Sequence, residues 1–343
     1  GEAELPPWLA DVLRRLCEKE PDRRYRSANL VIEDINRRGG YGFELETRET
    51  RESYVLSSRF VGRRTEQEAL WAFIRARTSG ASAAPITLVG GQSGVGKSRL
   101  MRELRRLCQL HRVPFVEADC HETGRRDLDP FVRALSFAMP LARSVDTSEW
   151  LSGVAPHLAK LAPALFPGVP EYATHPDPEV ERDRILGSLA TFFIALSERT
   201  GFALYLNDLQ WAGPDTIAVC RRIAAACREK GAAPRLALLG TFRDDEVEGR
   251  PLAHLLDAIR EPDAVLALEP LPPDETGVVV ESMLGSDGLP PRFMRLVADA
   301  TAGNPFFIQE LMRALIERGD VSLERGRWVA RADIEELPIL DRI

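Results

Sequence analysis

The sequence lacks the features of a secreted, disulfide-stabilised or membrane-spanning chain. Its 343 residues include only five cysteines, none in a C-x-x-C spacing. Scattered cysteines favour reduced thiols in a cytoplasmic protein over a disulfide framework or a zinc site. No signal-peptide pattern opens the chain, and the densest apolar run, residues 189–196, is interrupted by Thr191 and too short to cross a bilayer. We therefore expect a cytoplasmic protein with no membrane partner.

An excess of positive charge is also missing. The formal net charge is −7, so no overall basic field attracts nucleic acid, and we do not expect nucleic-acid binding. The local arginine runs are typical of solvated helix faces. With 44% hydrophobic and 28% charged residues the composition is that of a globular protein, and the length predicts two or three folding units.

One glycine-rich stretch organises the chain. It reads Gly-Gly-Gln-Ser-Gly-Val-Gly-Lys-Ser over residues 90–98, with the spacing G-x-x-x-x-G-K-S. An apolar run precedes it and a helical pattern over residues 99–110 follows, which is the strand–loop–helix setting of a phosphate-binding P-loop. Lys97 is placed to contact the β- and γ-phosphates of ATP or ADP, and the Ser98 hydroxyl to hold Mg²⁺. The alternative is a chance glycine-rich loop, which these flanks disfavour. The predicted nucleotide-binding residues here are Gly91, Ser93, Gly94, Val95, Gly96, Lys97, Ser98 and Arg99.

The stretch Phe-Val-Gly-Arg at residues 60–63 lies shortly before this loop. Alone it is a weak signal, but in this position it resembles the motif that opens the nucleotide-binding domain of STAND ATPases, the signal-transducing branch related to AAA-type ATPases. The resemblance implies that Val61, Gly62 and Arg63 line the base pocket. A helix is expected to start at Thr65, because Thr65 and Glu68 have the spacing of a capping box.

A second informative stretch, residues 201–212, is an apolar strand that ends in Asn207 and Asp208. Ligands bind at such strand ends in open α/β sheets, and P-loop ATPases place acids there for Mg²⁺ and the attacking water. The stretch resembles the STAND pattern D-D-L-Q-W-A-D, except that Asn207 replaces the first acid and Gly213 the last. Because an amide carries no charge, we predict a slow ATPase with Asn207 and Asp208 at the metal, and higher hydrolysis on Asn207→Asp. An incidental Asn-Asp pair after a buried strand is the alternative.

Two further strands are predicted over residues 235–241 and 264–268. Alternation of strands with helices predicts an α/β fold of the P-loop NTPase type, a parallel sheet flanked by helices. Arg243 follows the first of these strands and matches the family's γ-phosphate sensor arginine, with Thr241 as the second choice. Spacing alone is equally compatible with a surface arginine. The residues predicted to act in catalysis are therefore Lys97, Asn207, Asp208 and Arg243.

The C-terminal part is expected to form a small helical bundle and a hairpin. The stretch Gly-Asn-Pro-Phe-Phe at residues 303–307 combines a C-cap glycine, an N-cap asparagine and a first-turn proline. The same signature in STAND proteins implies that Pro305 lies against adenine. In that family the chain continues from a hairpin, here residues 321–329, into a winged helix.

The N-terminal residues predict short helices. Residues 16–28 resemble the last helices of a bacterial serine/threonine kinase C-lobe, in which the arginine matching Arg24 pairs with a glutamate of the activation segment. An ordinary helical hairpin is the alternative, and the catalytic motifs of protein kinases are absent from the sequence. Because the chain opens within this pattern, we interpret it as a fragment of a larger regulator.

These observations predict an ATP-dependent switch module linked to a kinase domain and an unidentified signalling protein, with possible nucleotide-dependent homo-oligomers as a corollary. Two alternatives remain open. One is an ATP/ADP-binding scaffold that does not hydrolyse its nucleotide, and the other is a small-molecule P-loop kinase. The expected domains are a short all-α remnant (1–38), a linker (39–57), a P-loop domain (58–269), a helical domain (270–320) and a hairpin with the truncated start of a winged-helix region (321–343).

Overall fold

The computed structural model describes most of the chain, and the following account concerns that part. The described residues are 6–18, 23–25, 28–43, 61–81, 84–123, 126–145, 150–170, 173–230, 234–259, 264–284, 289–324 and 327–331. Most of the predicted linker and the end of the predicted winged-helix region lie outside these ranges. Among the described residues no helix is both long and apolar enough to span a membrane.

A parallel sheet forms the centre of the molecule and confirms the predicted fold class. Its order is β2-β3-β4-β1-β5, and every neighbouring pair runs parallel. The inner strands β1, β3 and β4 are almost continuously buried, which explains their unbroken apolar sequences, since helices cover both faces. The strands are β1 (Ile86–Gly90), β2 (Phe115–Asp119), β3 (Phe202–Asn207), β4 (Leu236–Thr241) and β5 (Val265–Ala267).

Helices pack on both faces of this sheet. The longest, α7, buries Leu189, Phe192, Phe193 and Leu196 in the core beside the sheet. Truncating a buried Phe of this kind typically costs about 3–5 kcal/mol. The helices around the sheet are α3 (Arg64–Ser79), α4 (Lys97–Leu110), α5 (Asp129–Arg143), α6 (Trp150–Leu161), α7 (Pro178–Arg199), α8 (Pro214–Glu229) and α9 (Leu252–Ala258).

The start of α3 differs from the prediction. The helix begins at Arg64 and its N-cap is Arg63, which has left-handed backbone geometry (φ 60°) and makes no side-chain capping bond. The predicted capping box of Thr65 and Glu68 is therefore wrong. The Glu68 carboxylate instead accepts a hydrogen bond from Arg64 Nε at 2.8 Å, one turn away on the same helix.

The C-terminal part has its own apolar core. It contains Val280, Val297, Leu311 and Leu315 and continues to Val321 of the hairpin. Its elements are α10 (Pro273–Leu284), α11 (Pro291–Thr301), α12 (Pro305–Arg318), β6 (Val321–Glu324) and β7 (Arg327–Ala330). The helical bundle and the antiparallel hairpin that the sequence predicts are thus both present.

At the N-terminus, α1 (Pro7–Leu16) and α2 (Ala28–Gly39) pack against each other. Asp34 is buried here, and its hydrogen bonds from the Tyr25 hydroxyl and then from Arg37 and Arg38 lower the pKa of the carboxyl to about 2. Leu30, on α2, is 42% exposed. The predicted helices are therefore confirmed. The buried side chain that several hydrogen bonds hold in this segment is, however, an acid, Asp34.

The start of α8 shows which side chain is present where the sequence has Gly213 in place of an acid. Gly213 is the N-cap of α8 and makes no side-chain cap bond. The carboxylate of Asp127, from another loop, accepts hydrogen bonds from the N–H groups of Asp215 (2.5 Å) and Thr216 (3.2 Å). A Cβ at Gly213 would lie 2.4 Å from the Asp127 carboxyl carbon. Asp127 therefore occupies the place of the missing cap side chain.

This arrangement predicts a reciprocal rescue. Asp127→Ala should lower the free energy of unfolding by about 1–2 kcal/mol, since it leaves two helix N–H groups without their acceptor. Gly213→Asp alone should also destabilise, because the new carboxylate would clash with Asp127. Combined, the two substitutions should recover most of the loss, because the new acid becomes an ordinary N-cap. Urea unfolding of the four proteins measures this, and a double variant no more stable than Asp127→Ala would contradict it.

Candidate nucleotide-binding site

The P-loop connects β1 to α4 at the carboxyl edge of the sheet. Gly94, at its centre, has a φ of +78°, a backbone geometry that side chains other than glycine rarely adopt. A Cβ at this position would lie 2.7 Å both from Asn304 Oδ1 and from the Cβ of Phe306. The residue must therefore be glycine for two reasons, the curvature of the loop and the close approach of α12.

Lys97 begins α4 and turns its side chain back over the loop. It is only 7% exposed, and its ammonium donates hydrogen bonds to the carbonyls of Gly91 and Gln92 (2.8 Å to Gln92). Burial lowers the pKa of Lys97, and the charge of Asp208 opposes that shift. An incoming phosphate would compete with two neutral carbonyls for this cation. The exchange favours the anion because a charge-assisted hydrogen bond is the stronger one.

Asp208 and Arg243 come from the ends of β3 and β4 and face the P-loop. Asp208 has left-handed backbone geometry (φ 55°), and its N–H donates to Thr241 Oγ1 at 3.2 Å. Gln210 bridges the two residues: its Nε2 donates to Asp208 Oδ1 at 3.3 Å, and its Oε1 accepts from the Arg243 N–H at 3.2 Å. The predicted acid and the predicted sensor are thus held in one network.

Asn207 lies beside this network but uses its side chain elsewhere. Its Oδ1 accepts hydrogen bonds from the hydroxyls of Tyr205 (2.7 Å) and Thr241 (2.8 Å), and its Nδ2 donates to Asp119 Oδ1 at 3.2 Å. Burial raises the pKa of Tyr205, which keeps that hydroxyl protonated as a donor. The amide oxygen is therefore already occupied by two donors, and Thr241 serves to position both Asn207 and Asp208.

Arg63 joins the start of α3 to the nucleotide loop. Its side chain is 8% exposed; Nη1 bonds Glu66 at 3.1 Å, and Nη2 donates to the carbonyl of Glu269. Gly62 approaches the C-terminal part, where a Cβ would meet Glu275 Oε2 at 2.7 Å. This segment therefore links the P-loop region to the helical part and contributes one wall of a cavity.

The first turn of α12 contacts the P-loop directly. Asn304 caps the helix by accepting from the Phe306 N–H at 3.0 Å, while its Nδ2 donates to the Ser93 carbonyl at 2.9 Å. The Phe306 N–H also approaches the Gly94 carbonyl at 3.3 Å. The Gly-Asn-Pro-Phe-Phe stretch therefore does more than punctuate helices: it fixes the helical part to the phosphate loop.

These elements enclose one cavity of about 440 Å³. That volume is in the range of small-molecule and cofactor sites. Twelve of the predicted residues line it. They are Val61, Arg63, Ser93, Gly94, Val95, Gly96, Lys97, Ser98, Arg99, Asp208, Arg243 and Pro305.

Three predicted residues, Gly62, Gly91 and Asn207, are not part of that lining. Sequence reasoning in turn missed five residues that are. Arg102 lies one helical turn beyond Arg99, and Phe306 and Gln309 share the first turns of α12 with Pro305, so helical spacing could have found these. For Leu271 and Val279 the local sequence carries no such signal. The five are Arg102, Leu271, Val279, Phe306 and Gln309.

The donor set fits a Mg²⁺–nucleotide complex. The Ser98 hydroxyl and the Asp208 carboxylate line the same cavity as Lys97, and oxygen ligands of this kind suit Mg²⁺. One carboxylate and one hydroxyl are typical of a metal that is held partly by substrate phosphates. Among the described residues there is no cluster of three or more His, Cys, Asp or Glu side chains suited to bind a metal.

Comparison with known proteins agrees with this geometry. The profile of the AAA ATPase domain matches residues 59–239, so the chain belongs to that family. The chain therefore contains an AAA-type ATPase domain, and its P-loop lies within the matched residues. A domain of unknown function (DUF8739) matches residues 273–328, and no curated protein sequence matches the chain.

A solved structure shows the same fold. Cdc6p from Pyrobaculum aerophilum aligns with a TM-score of 0.51 and 14% identity over 77% of this chain and 66% of its own. AMPPCP-bound DnaA from Aquifex aeolicus (TM-score 0.44, 14% identity, 78% and 66% covered) and Orc1 from Aeropyrum pernix in complex with DNA (0.43, 15%, 82% and 66%) are more distant. The chain spans just under two thirds of each of these proteins. At 14% identity the likeness to Cdc6p concerns the fold alone.

Proposed function

We propose that the chain is an ATP-binding, slowly hydrolysing switch module of the STAND type. The observation that supports this best is the single cavity shared by the P-loop, the ends of β3 and β4, and the first turn of α12. A ligand in this cavity touches two parts of the molecule at once. Because a ligand shifts a conformational equilibrium only through contacts that differ between states, such a shared cavity is where nucleotide exchange can change domain arrangement.

Each part of the cavity has a separate role in this proposal. The loop amides and Lys97 bind the phosphates, while the apolar side chains of Val61, Pro305 and Phe306 hold the base. Ser98 and Asp208 would hold Mg²⁺, which, when bound, neutralises phosphate charge. Asp208, fixed by Gln210, orients the attacking water and takes its proton. The water oxygen bonds to the γ-phosphorus as the bond to the bridging oxygen breaks, and ADP leaves with that electron pair, giving ADP and inorganic phosphate. With Asn207 engaged elsewhere, a single carboxylate serves the metal and the water, which supports slow turnover.

Calorimetry tests the proposal. The parent protein should bind Mg·ATP and Mg·ADP, and Lys97→Ala should weaken both by at least about tenfold, because a charge-assisted bond to phosphate is worth about 1.5–3 kcal/mol. Lys230→Ala is the matched control, since Lys230 pairs with Glu198 on the surface at 2.5 Å. If folded parent protein binds neither nucleotide, the proposed function is wrong.

A scaffold that binds nucleotide without hydrolysing it is the second candidate. The hydrogen bonding of Asn207 favours it, since that side chain offers the metal no charge and no unoccupied oxygen lone pair aimed at the cavity. Phosphate release separates the two candidates. Slow release that is lost in Lys97→Ala supports the ATPase, whereas tight binding without release supports the scaffold.

We further propose that the chain is linked to serine/threonine kinase signalling and that it forms homo-oligomers in a nucleotide-dependent way. The resemblance of residues 16–28 to a kinase C-lobe supports the link, and in the structure Arg24 Nε donates to the Glu18 carbonyl at 2.7 Å. Sedimentation with ATP or ADP tests assembly. Addition of isolated bacterial kinase domains to the ATP-bound and ADP-bound protein tests whether the nucleotide state changes phosphorylation of a peptide substrate.

A further inference from the structure

The side chain of Arg243, which lines the nucleotide cavity, is held by an acid that the proposed reaction does not use. Arg243 Nη1 forms an ion pair with Glu246 Oε1 at 2.7 Å. The two residues lie at either end of a single short turn that includes Asp244–Glu246, directly after β4. The charge that the terminal phosphate requires is thus already paired with a carboxylate three residues away.

The second oxygen of Glu246 is buried and accepts no hydrogen bond from the described part of the chain. Another cation stands next to it: Arg250 Nη2 lies 3.9 Å from Glu246 Oε2. Arg250 is itself anchored, with its guanidinium 4.2 Å from the Trp211 ring centroid and Nη1 3.4 Å from the Gln210 carbonyl. Glu246 therefore lies between one arginine that faces the cavity and another that is fixed to the protein.

We propose that Glu246 is a positioning residue that holds Arg243 away from the terminal phosphate and thereby sets the preference of the site between ATP and ADP. This inference rests on the proposed nucleotide-binding function. With ADP, Arg243 stays paired with Glu246. With ATP, Arg243 exchanges the carboxylate for the γ-phosphate, and Glu246 closes onto Arg250.

The positions of Arg243, Glu246 and Arg250 suit an exchange in which Glu246 gives up Arg243 and pairs with Arg250. Glu246 is partly buried, with its side chain 23% exposed, so leaving its carboxylate unpaired is unfavourable, and a second cation for Glu246 makes release of Arg243 easier. Arg250 meets that need from 3.9 Å, a separation at which the ion pair is only partly formed. Because the contact between Arg243 and ATP replaces an existing ion pair, only part of its free energy appears as affinity. Neutralising Glu246 removes this ion pair from the ADP-bound state, so the affinity for ATP should increase.

The test compares Glu246→Gln, Arg243→Gln and the double variant, with dissociation constants for Mg²⁺ complexes of ADP and of a non-hydrolysable ATP analogue. In Glu246→Gln the ratio of ADP to ATP-analogue dissociation constants should rise about three- to tenfold, within the range of single charge-pair effects. In the Arg243→Gln background the same change should leave the ratio unaltered. Glu248→Gln, an exposed acid on the same loop, is the matched control and should behave as the parent.

Arg250→Gln is a second variant, and it should change the ratio of dissociation constants in the opposite direction. Without Arg250 the carboxylate has no new partner, so the ratio should fall below that of the parent. Trp211 gives an independent readout, because Glu246 approaches the guanidinium stacked on its ring only with ATP. Its emission, taken as the difference between the parent and Trp211→Phe, should change with the ATP analogue and remain constant with ADP.

The outcomes are distinct. A ratio that stays constant in Glu246→Gln, or that changes equally with and without Arg243, overturns the role of Glu246 while nucleotide binding by the parent stands. Binding of neither nucleotide by the parent instead overturns the proposed function itself. A merely structural role of Glu246 would lower the affinity for both nucleotides in parallel and leave both the ratio and the Trp211 signal unchanged.

Discussion

Replacing Gly303 by alanine is expected to lower the free energy of unfolding by at least about 3 kcal/mol, since it combines backbone strain with a steric clash. Gly303 connects α11 to α12 with a φ of +70°, and its carbonyl accepts a hydrogen bond from the Leu271 N–H at 2.9 Å. A Cβ there would lie 2.0 Å from the Leu271 carbonyl oxygen. No rotamer relieves this contact, so the backbone of the connection has to move.

Gly319→Ala is the matched control. Gly319 ends α12 with a φ of +80°, but a Cβ at that position meets nothing within 4 Å. Its substitution should cost only about 1 kcal/mol, the strain of left-handed geometry without the clash. Urea unfolding gives both values, and calorimetry should show weaker nucleotide binding for Gly303→Ala alone. Equal destabilisation of the two variants would contradict the proposed contact.

Asn207→Asp is expected to destabilise the protein by about 2–4 kcal/mol at neutral pH, where a like-charge contact of this length is strongly unfavourable even with solvent screening. The Asn207 amide donates to Asp119 Oδ1 at 3.2 Å, so the substitution replaces a donor with a second carboxylate. The hydroxyls of Tyr205 and Thr241 still donate to the new side chain but cannot separate it from Asp119.

The effect should depend on pH in a definite direction. Because Asp119 faces it, the new carboxyl at position 207 should have a raised pKa in the folded state. The folded variant then binds more protons than the unfolded chain, so its stability falls as pH rises and recovers as pH is lowered through that pKa. Unfolding measured between pH 5 and 8 should show this slope relative to the parent. A variant as stable as the parent, with the same pH profile, would contradict the expectation.

Asp119→Asn provides the rescue. Combined with Asn207→Asp it exchanges donor and acceptor and restores one carboxylate and one amide across the β2–β3 register, in which the two residues are direct partners. The double variant should regain most of the lost stability. It is also the proper background for asking whether an acid at position 207 increases hydrolysis, since a decrease in the single variant would reflect repulsion by Asp119 as much as chemistry.

The fold was predictable because its signals are local and repeated. Each inner strand is a largely apolar run, and each is followed by a helical pattern, so the alternation predicted a parallel sheet. The boundary that failed, the start of α3, failed for a physical reason. Thr65 and Glu68 have capping-box spacing, but the N-cap is Arg63. Its backbone is left-handed, and its side chain bonds Glu66 and also the carbonyl of Glu269, 206 residues away.

Among the residues around the cavity, those of a motif with consecutive residues could be predicted from spacing alone. The phosphate loop is such a motif, because its glycines, Lys97 and Ser98 are consecutive. Other contacts depend on how separate elements pack together. Asp127 accepts from the N–H groups at the start of α8, Asn207 donates to Asp119, and Glu246 lies between Arg243 and Arg250. Side chains that compensate for one another across 88 residues, as Asp119 and Asn207 do, leave no pattern in a single sequence.

Asn304 has a mechanical consequence. One amide group both caps α12 and grips the Ser93 carbonyl, so the pivot of that helix coincides with the tip of the phosphate loop. We expect a small displacement of the Ser93 peptide to move the start of α12 with it, and the far end of α12, which continues into the hairpin, to move further. Labels placed on that hairpin and on the exposed face of α3 would therefore report the state of the loop from a distance.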